Sequence, residues 1–155
     1  MHKQWIIQDK APSDWLASIP YNPIIAQLLY NRGLKTEEEI NCFLNPSYDN
    51  LDDPFKFKDM KKAVELIMSH LNHKIVIHGD YDSDGVCSSV ILYNTLKALG
   101  GSNIMVYLPH REKEGYGLNS NTIKYLREQD CNLIITADCG SSNVAEIALA
   151  KELGM

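Results

Sequence analysis

Three short apolar runs in the second part of the chain are each followed by a segment with helical periodicity. The three pairs are "KIVIHGD" (74–80) with 86–99, "NIMVYLP" (103–109) with 120–129, and "NLIITAD" (132–138) with 143–153. Apolar strands that alternate with helices are typical of right-handed βαβ units, in which helices cover a parallel sheet. We therefore predict an α/β fold: a parallel sheet with helices on both faces.

An amphipathic helix is predicted directly before the first of these strands. Its apolar residues recur at the i, i+3, i+4 spacing of one helix face and are Met60, Ala63, Val64, Ile67, Met68 and Leu71. Asp59 stands where an N-cap residue is expected. The predicted sheet domain therefore covers residues 59–155.

Residues 1–58 are predicted to form a smaller, helical and irregular N-terminal segment. Residues 22–32 indicate a short helix with a proline in its first turn. Thr36 and Glu39 have the spacing of a capping box, which predicts the start of a second helix. The stretch "LNPSYDNLDDPFKF" combines two prolines with turn-forming residues, so we expect an irregular connector before the sheet domain.

Composition and charge limit the classes of function. A chain of 155 residues that is 45% hydrophobic and 23% charged is typical of about one soluble globular domain. The formal net charge of −5 argues against a broad basic surface, so contact with nucleic acid has to be local or run through metal ions. The four cysteines form no C-x-x-C pair, which favours reduced thiols. Apolar runs are too short for a signal peptide or a membrane span, which indicates a cytoplasmic protein.

The loop after the first predicted strand concentrates acidic side chains. Asp80, Asp82 and Asp84 occupy alternate positions there, and Asp138 follows the third strand. Because ligands bind at the carboxyl ends of parallel strands, we expect these two acidic segments to meet. Carboxylates a few ångströms apart destabilise a fold unless a cation compensates their charge. The sequence thus predicts a Mg²⁺ or Mn²⁺ site, and an imidazole ligand from His78 favours Mn²⁺.

Other functions also use a turn between a strand and a helix. "DYDSDG" matches the start of a calcium-binding EF-hand loop, but position 12 is Ile91 instead of glutamate. Dinucleotide and P-loop sites present glycine N–H groups to phosphate, whereas carboxylates fill this turn. A phosphatase of the haloacid-dehalogenase type would use Asp82, Asp84 and Thr136 and leaves the other two aspartates unexplained. Helix capping explains one aspartate more readily than four.

Three motifs resemble the DHH phosphoesterase family, and in particular its bacterial exonucleases that are specific for single-stranded DNA. "VIHGDYDSDGVCSSVILYNTL" resembles the first family motif, and "LIITADCGSSN" resembles the second. "YLPHREKEGYGLN" is similar to the segment that lies between these motifs in the exonucleases. The resemblance covers roughly residues 15–155.

The resemblance implies a reaction and a set of site residues. The implied metal ligands are Asp80, Asp82, Asp84, Asp138 and His78, of which Asp82, Asp84 and Asp138 are the catalytic set. Two Mn²⁺ or Mg²⁺ ions would serve the hydrolysis of phosphodiester bonds from the 5′ end of single-stranded DNA, in DNA repair and recombination. Single-stranded DNA is the expected partner, with single-strand-binding proteins and helicases as candidate protein partners.

Four residues near these motifs are candidate ligands of a substrate phosphate. The guanidinium of Arg111 can form paired hydrogen bonds with a phosphate. Gly115 permits a close approach of the backbone to a ligand. Ser141 and Ser142 precede a predicted helix and can donate hydrogen bonds to an anion at its N-terminus.

Other residues of the motifs receive structural interpretations. Tyr116 either stacks on a base or packs into the core, and we favour the core. Asn143 and Glu146 have the spacing of a capping arrangement. Cys87 and Cys139 are expected to be packing residues, because neighbouring carboxylates raise the pKa of a thiol and make it a poor nucleophile.

The Asp-His-His motif for which the family is named does not occur in this sequence. Its five histidines include no adjacent pair, and "AKELGM" ends a predicted helix where another strand is expected. We therefore expect the N-terminal part of a longer exonuclease, truncated before that motif and inactive alone. The alternatives are a non-catalytic chain, or another DHH-family phosphodiesterase that acts on short oligonucleotides or cyclic dinucleotides.

Overall fold

The computed structural model describes residues 4–155, which divide into two compact units. The first unit ends at Lys56, and the second spans Phe57–Met155. The domain boundary near residue 58 stays a prediction. No helix within the described residues is long and apolar enough to cross a membrane.

The first unit is built from three short helices and two single turns of 3₁₀ helix. The helices are α1 (Ser13–Ser18), α2 (Pro23–Asn31) and α3 (Glu37–Leu44), and the turns are Tyr48–Asn50 and Pro54–Lys56. Thr36 and Glu39 form the predicted capping box, in which each side chain bonds the backbone N–H of the other residue. Ala26, Leu29 and Ile40 are the most buried apolar residues of α2 and α3.

The second unit alternates helices and strands as the sequence predicts. Its elements are α4 (Met60–His70), β1 (Lys74–His78), α5 (Ser83–Ala98), β2 (Asn103–Tyr107), α6 (Ser120–Glu128), β3 (Leu133–Thr136) and α7 (Val144–Glu152). Asp59 is the N-cap residue of α4, as predicted, but within the described chain its side chain makes no capping hydrogen bond. Helix α5 begins at Ser83 instead of residue 86, because Asp82 caps it earlier than predicted.

The three strands form a parallel sheet with the order β2-β1-β3. Ile75 of the central strand pairs with Ile104 on one side and with Leu133 on the other. Because β1 has a neighbour on each side and is covered on both faces, its interior residues Ile75, Val76 and Ile77 are fully buried. This explains why the strand reads as a continuous apolar run.

Alternate residues of the central strand face two separate apolar clusters. Ile75 and Ile77 pack on one face with Leu71, at the end of α4, and with Leu96 of α5. Val76 packs on the opposite face with Leu126 of α6. The predicted arrangement of helices on both faces is therefore confirmed.

Candidate metal centre

The acidic loops that follow β1 and β3 meet at the carboxyl-terminal edge of the sheet. Asp80, Asp82 and Asp138 each offer one carboxylate oxygen, and these three oxygen atoms lie within 4.8 Å of one another. Asp80 is only 4% exposed, whereas Asp82 and Asp138 face the solvent. The predicted meeting of the two acidic segments is confirmed, because β1 and β3 are neighbours in the sheet.

Hydrogen bonds of the first loop hold two of these carboxylates. The Oδ1 atom of Asp80 accepts a hydrogen bond of 2.8 Å from the Tyr81 N–H. The Oδ1 atom of Asp82 caps α5 by accepting from the N–H groups of Asp84 and Gly85, at 3.0 and 3.1 Å. Both bonds to Asp82 use the same atom, so its second carboxylate oxygen is not needed for the cap. Capping and cation binding are therefore compatible at Asp82.

Gly85 allows the first turn of α5 to lie directly against the backbone of Asp80. A Cβ atom at this glycine would meet the O, N and C atoms of Asp80 at 2.4, 2.5 and 2.6 Å. Backbone atoms cannot rotate away as the end of a long side chain can. Gly85 thus has a packing role in the site, which the sequence pattern did not indicate.

Asp138 adopts an unusual backbone conformation in the second loop. Its φ of 60° lies in the left-handed region, which few residues other than glycine adopt and which Asp tolerates better than most. Partial loss of hydration raises the pKa of the exposed Asp138 carboxyl, and the nearby charges of Asp82, Asp84 and Asp80 raise it further. A bound cation would relieve this repulsion.

The raised pKa of Asp138 predicts a pH-dependent stability for the protein without a cation. The folded state binds the proton more strongly than the unfolded chain, so this carboxyl favours folding below its ordinary pKa of 3.8. That contribution is lost as the pH rises through the raised pKa. We expect Asp138→Asn to gain stability relative to the wild type over this interval, as measured by urea unfolding at a series of pH values. A difference that stays constant from acid to neutral pH would contradict the prediction.

His78, at the end of β1, is fully buried, and burial lowers its pKa. Its ring stacks on Tyr107 with 5.4 Å between the ring centroids. Its Nε2 atom has no hydrogen-bond partner among residues 4–155. A neutral imidazole with a free nitrogen is the form that binds a metal ion.

The group of three carboxylates does not include every residue predicted as a metal ligand. Among the described residues, neither Asp84 nor His78 belongs to a group of three potential metal ligands whose ligand atoms all lie within 4.8 Å of one another. Asp84 lies in the first turn of α5, where its charge still contributes to the raised pKa of Asp138. The sequence could not separate these residues, because alternation along a loop does not fix the direction of each side chain.

The predicted phosphate ligands lie in two places around the acidic loops. Ser141 and Ser142 line a pocket of about 460 Å³ together with Asp138. The Arg111 guanidinium carbon lies 5.2 Å from the centre of the Tyr81 ring, a cation–π distance that places Arg111 beside the first acidic loop. Gly115 has a φ of 77°, and apart from its two chain neighbours no described residue has an atom within 4 Å of the place where a Cβ would be.

Glu114 and Tyr116 fix the loop between β2 and α6 (residues 108–119, the connecting loop), and sequence reasoning missed both roles. The Glu114 carboxylate accepts hydrogen bonds from the Tyr107 hydroxyl, from the Thr122 hydroxyl at 3.1 Å and from the His110 N–H at 2.7 Å. These bonds lower the pKa of Glu114. No spacing rule links these residues, so only the folded loop shows the network.

Tyr116 binds the second acidic loop instead of packing into the core. Its side chain is 60% exposed, and its hydroxyl donates a hydrogen bond of 2.9 Å to the Asp138 carbonyl oxygen. The preferred prediction of core packing is therefore wrong. The contact joins residues that are 22 positions apart, and it brings an aromatic ring to the pocket beside Asp138.

Two further structural interpretations need correction. Within the described residues, the Asn143 side chain makes no capping bond to α7. It donates a hydrogen bond of 3.4 Å to the Glu146 carboxylate, so the predicted pair is in contact. It also binds the backbone of Leu118, accepting from its N–H at 3.2 Å and donating to its carbonyl at 3.1 Å. Cys87 is exposed, so its expected packing role is wrong. Cys139 is partly buried, and burial raises the pKa of its thiol, which agrees with the expectation that it is a poor nucleophile.

Residues 74–155, which hold both acidic loops, match the model of the DHH family, N-terminal domain. The chain belongs to the DHH family. Its DHH region contains the three-carboxylate group, the connecting loop and His78. The motif resemblance seen in the sequence is thus confirmed over more than half of the chain.

Several curated relatives of this DHH-family chain are bacterial proteins of much greater length. The chain is 39% identical over 150 residues to the single-stranded-DNA-specific exonuclease RecJ of Bacillus subtilis, covering 96% of this chain and 19% of that protein. It is 32% identical over 146 residues to the RecJ exonuclease of Thermus thermophilus, covering 90% of this chain and 20% of that protein. The chain therefore spans about a fifth of the length of these relatives.

Solved structures show the same likeness. A crystal structure of exonuclease RecJ bound to manganese has a TM-score of 0.56 and 34% identity, covering 63% of this chain and 25% of that one. A crystal structure of RecJ from Thermus thermophilus in complex with Mn²⁺ has a TM-score of 0.56 and 26% identity, covering 91% of this chain and 19% of that one.

Proposed function

We propose that this chain is the N-terminal part of a metal-dependent exonuclease that hydrolyses single-stranded DNA in the 5′ to 3′ direction. The observation that carries the proposal is the convergence of Asp80, Asp82 and Asp138 at the sheet edge of a DHH domain. Support comes from the similarity of almost the whole chain to an exonuclease specific for single-stranded DNA. We further propose that the reaction serves DNA repair and recombination and takes place in the cytoplasm.

The proposed cofactor is Mn²⁺ or Mg²⁺, held mainly by the three-carboxylate group. Oxygen ligands of this kind suit hard divalent cations. The Nε2 atom of His78, which has no hydrogen-bond partner in the part of the chain that the structure describes, adds a nitrogen donor that favours Mn²⁺. Asp84 and His78 are proposed as further ligands, and two solved relatives are described with manganese. When bound, such cations neutralise phosphate charge and lower the pKa of a water molecule.

The substrate phosphate is proposed to lie between the connecting loop and the second acidic loop. Arg111 supplies a positive charge beside the aspartates, which offsets the repulsion between the DNA and the acidic site. Ser141 and Ser142 donate hydrogen bonds from the pocket beside Asp138. Gly115 leaves the backbone of the connecting loop open to the bound DNA strand.

The partner implied by this chemistry is single-stranded DNA, with helicases and single-strand-binding proteins as proposed protein partners. The sequence has no adjacent histidine pair, so residues 1–155 supply only part of the ligand set that the family name describes. Catalysis with two ions requires positions accurate to a fraction of an ångström. The proposed activity therefore belongs to a longer polypeptide that contains this chain.

A nuclease assay tests this proposal. We expect residues 1–155 alone to release no nucleotides from a 5′-labelled single strand in Mn²⁺, because the ligand set is incomplete and the net charge of −5 disfavours binding to DNA. A longer polypeptide that adds the histidine pair should degrade the strand, and Asp82→Asn in it should abolish the activity. Degradation by residues 1–155 would show that these aspartates suffice. An inactive longer polypeptide that still binds Mn²⁺ would favour the non-catalytic alternative.

A further inference from the structure

The thiol of Cys139 lies against His78, across the two loops of the candidate metal centre. Its Sγ atom is 3.6 Å from the His78 Nδ1 atom and 3.5 Å from the His78 carbonyl oxygen. The two residues are 61 positions apart and lie at the ends of neighbouring strands. Both distances are within the range of hydrogen bonds that involve sulfur.

The proton count at this contact distinguishes the two tautomers of a neutral imidazole. If Nδ1 carries the proton, it donates to sulfur while the S–H donates to the His78 carbonyl, so two hydrogen bonds form. If Nε2 carries the proton, the thiol can make only one of its two contacts. In that tautomer the single N–H of the ring is at Nε2, where it is buried and has no hydrogen-bond partner among the described residues.

We propose that Cys139 is a positioning residue that holds His78 in the tautomer protonated at Nδ1. The lone pair of the His78 Nε2 atom is then the free one, which is the arrangement needed for a metal ligand. Histidine ligands are commonly oriented in this way, by an acceptor at the nitrogen that does not bind the metal. In this chain the acceptor is the sulfur of the residue next to Asp138.

The proposal also explains why the second acidic loop depends on the first strand. The Ala137 N–H donates to the His78 carbonyl oxygen at 2.9 Å, and the Cys139 thiol reaches the same oxygen. The residues on both sides of Asp138 are therefore tied to the end of β1. The cation-binding consequence rests on the proposed function, whereas the tautomer does not.

The tautomer can be measured directly by ¹⁵N NMR of the imidazole, on the chain without a cation and above the ordinary pH range of histidine titration. His78 is assigned by comparison with His78→Gln. We expect a protonated Nδ1 and an unprotonated Nε2 in the wild type and in Cys139→Ser, since serine keeps one donor and one acceptor. Cys139→Ala should lose this preference, whereas Cys87→Ala, which removes an exposed thiol, should keep it.

A protonated Nε2 in the wild type would overturn the proposal, and so would an unchanged Nδ1 proton in folded Cys139→Ala. If Cys139→Ala does not fold, the position of the proton in the wild-type spectrum tests the proposal by itself. A Mn²⁺ titration then tests the consequence, with an expected fall in affinity of about 10- to 100-fold in Cys139→Ala and little change in Cys139→Ser. If the tautomer is as expected but Mg²⁺, which is diamagnetic, binds without shifting the His78 Nε2 signal, the proposal stands and the metal role of His78 fails.

Discussion

Replacing Asp138 with alanine is expected to abolish Mn²⁺ binding by residues 1–155. Asp138 supplies one of three carboxylates that lie within 4.8 Å of one another, and no other carboxylate within the described residues completes such a group. Wild-type affinity should be weak, with a dissociation constant of roughly 0.1–1 mM, because the ligands are few. Loss of a direct ligand should exceed the roughly 10- to 100-fold cost of changing a residue that only orients one. Calorimetric titration with Mn²⁺ measures the affinity of the wild type and the loss of affinity in Asp138→Ala.

Asp130 provides a matched control for this substitution. It is also an exposed aspartate with a positive φ, 59° against 60° for Asp138, but it lies outside the three-carboxylate group. Alanine should therefore strain the backbone equally in both variants, by about 1–2 kcal/mol, while only Asp138→Ala loses the cation. Equal Mn²⁺ affinities in the two variants would place the ion elsewhere. Asp82→Asn refines the test, because asparagine can still cap α5 while it removes the charge.

Gly85→Ala is expected to destabilise the second unit even though alanine is the better helix former. Helix propensity alone predicts a gain of about 0.8–1 kcal/mol in the free energy of unfolding. The added Cβ would lie 2.4–2.6 Å from backbone atoms of Asp80, however, so α5 or the acidic loop has to move. Overpacking of this kind costs about 1–3 kcal/mol, and backbone neighbours favour the upper end. We expect a lower melting temperature and weaker Mn²⁺ binding.

Asn94→Ala is the control for the effect of alanine in the same helix. Asn94 is exposed in α5, so its replacement should raise stability by about 0.5 kcal/mol and leave Mn²⁺ binding unchanged. Urea unfolding gives the free energy of unfolding of both variants, and the difference between them separates the effect of helix propensity from the effect of packing against Asp80. A Gly85→Ala protein as stable as Asn94→Ala would show that the first turn of α5 tolerates a side chain, and that Asp80 does not depend on the glycine.

The sequence pattern was sufficient for the elements that depend on local rules. Thr36 and Glu39 formed the predicted capping box because both partners lie within one helical turn. The apolar run from Ile75 to Ile77 became the central strand because only a central strand is buried on both faces. Helix capping by an aspartate of the acidic loop competes with metal binding as an interpretation of the sequence, whereas in the structure Asp82 caps α5 and also belongs to the three-carboxylate group.

Two of the interpretations that failed depended on contacts between residues distant along the chain. Tyr116 was expected in the core because aromatic residues bury large area, yet its hydroxyl reaches the Asp138 carbonyl across 22 positions. Asn143 has the right spacing to cap a helix, yet it binds Leu118, 25 positions away. Polar side chains choose the partner that the folded loops present, and spacing rules do not describe that choice.

The amino-acid sequence by itself determined the alternation of strands and helices, the parallel α/β class, and the expectation that acidic loops after two strands meet at one edge. Hydrophobic periodicity and capping are local, so they can be recognised without knowledge of the fold. Only the tertiary structure decided that Asp80, Asp82 and Asp138 form the close group, and that Cys139 contacts His78. Those outcomes depend on the direction of each side chain, which is set by loop conformations such as the left-handed backbone of Asp138 and the close approach at Gly85.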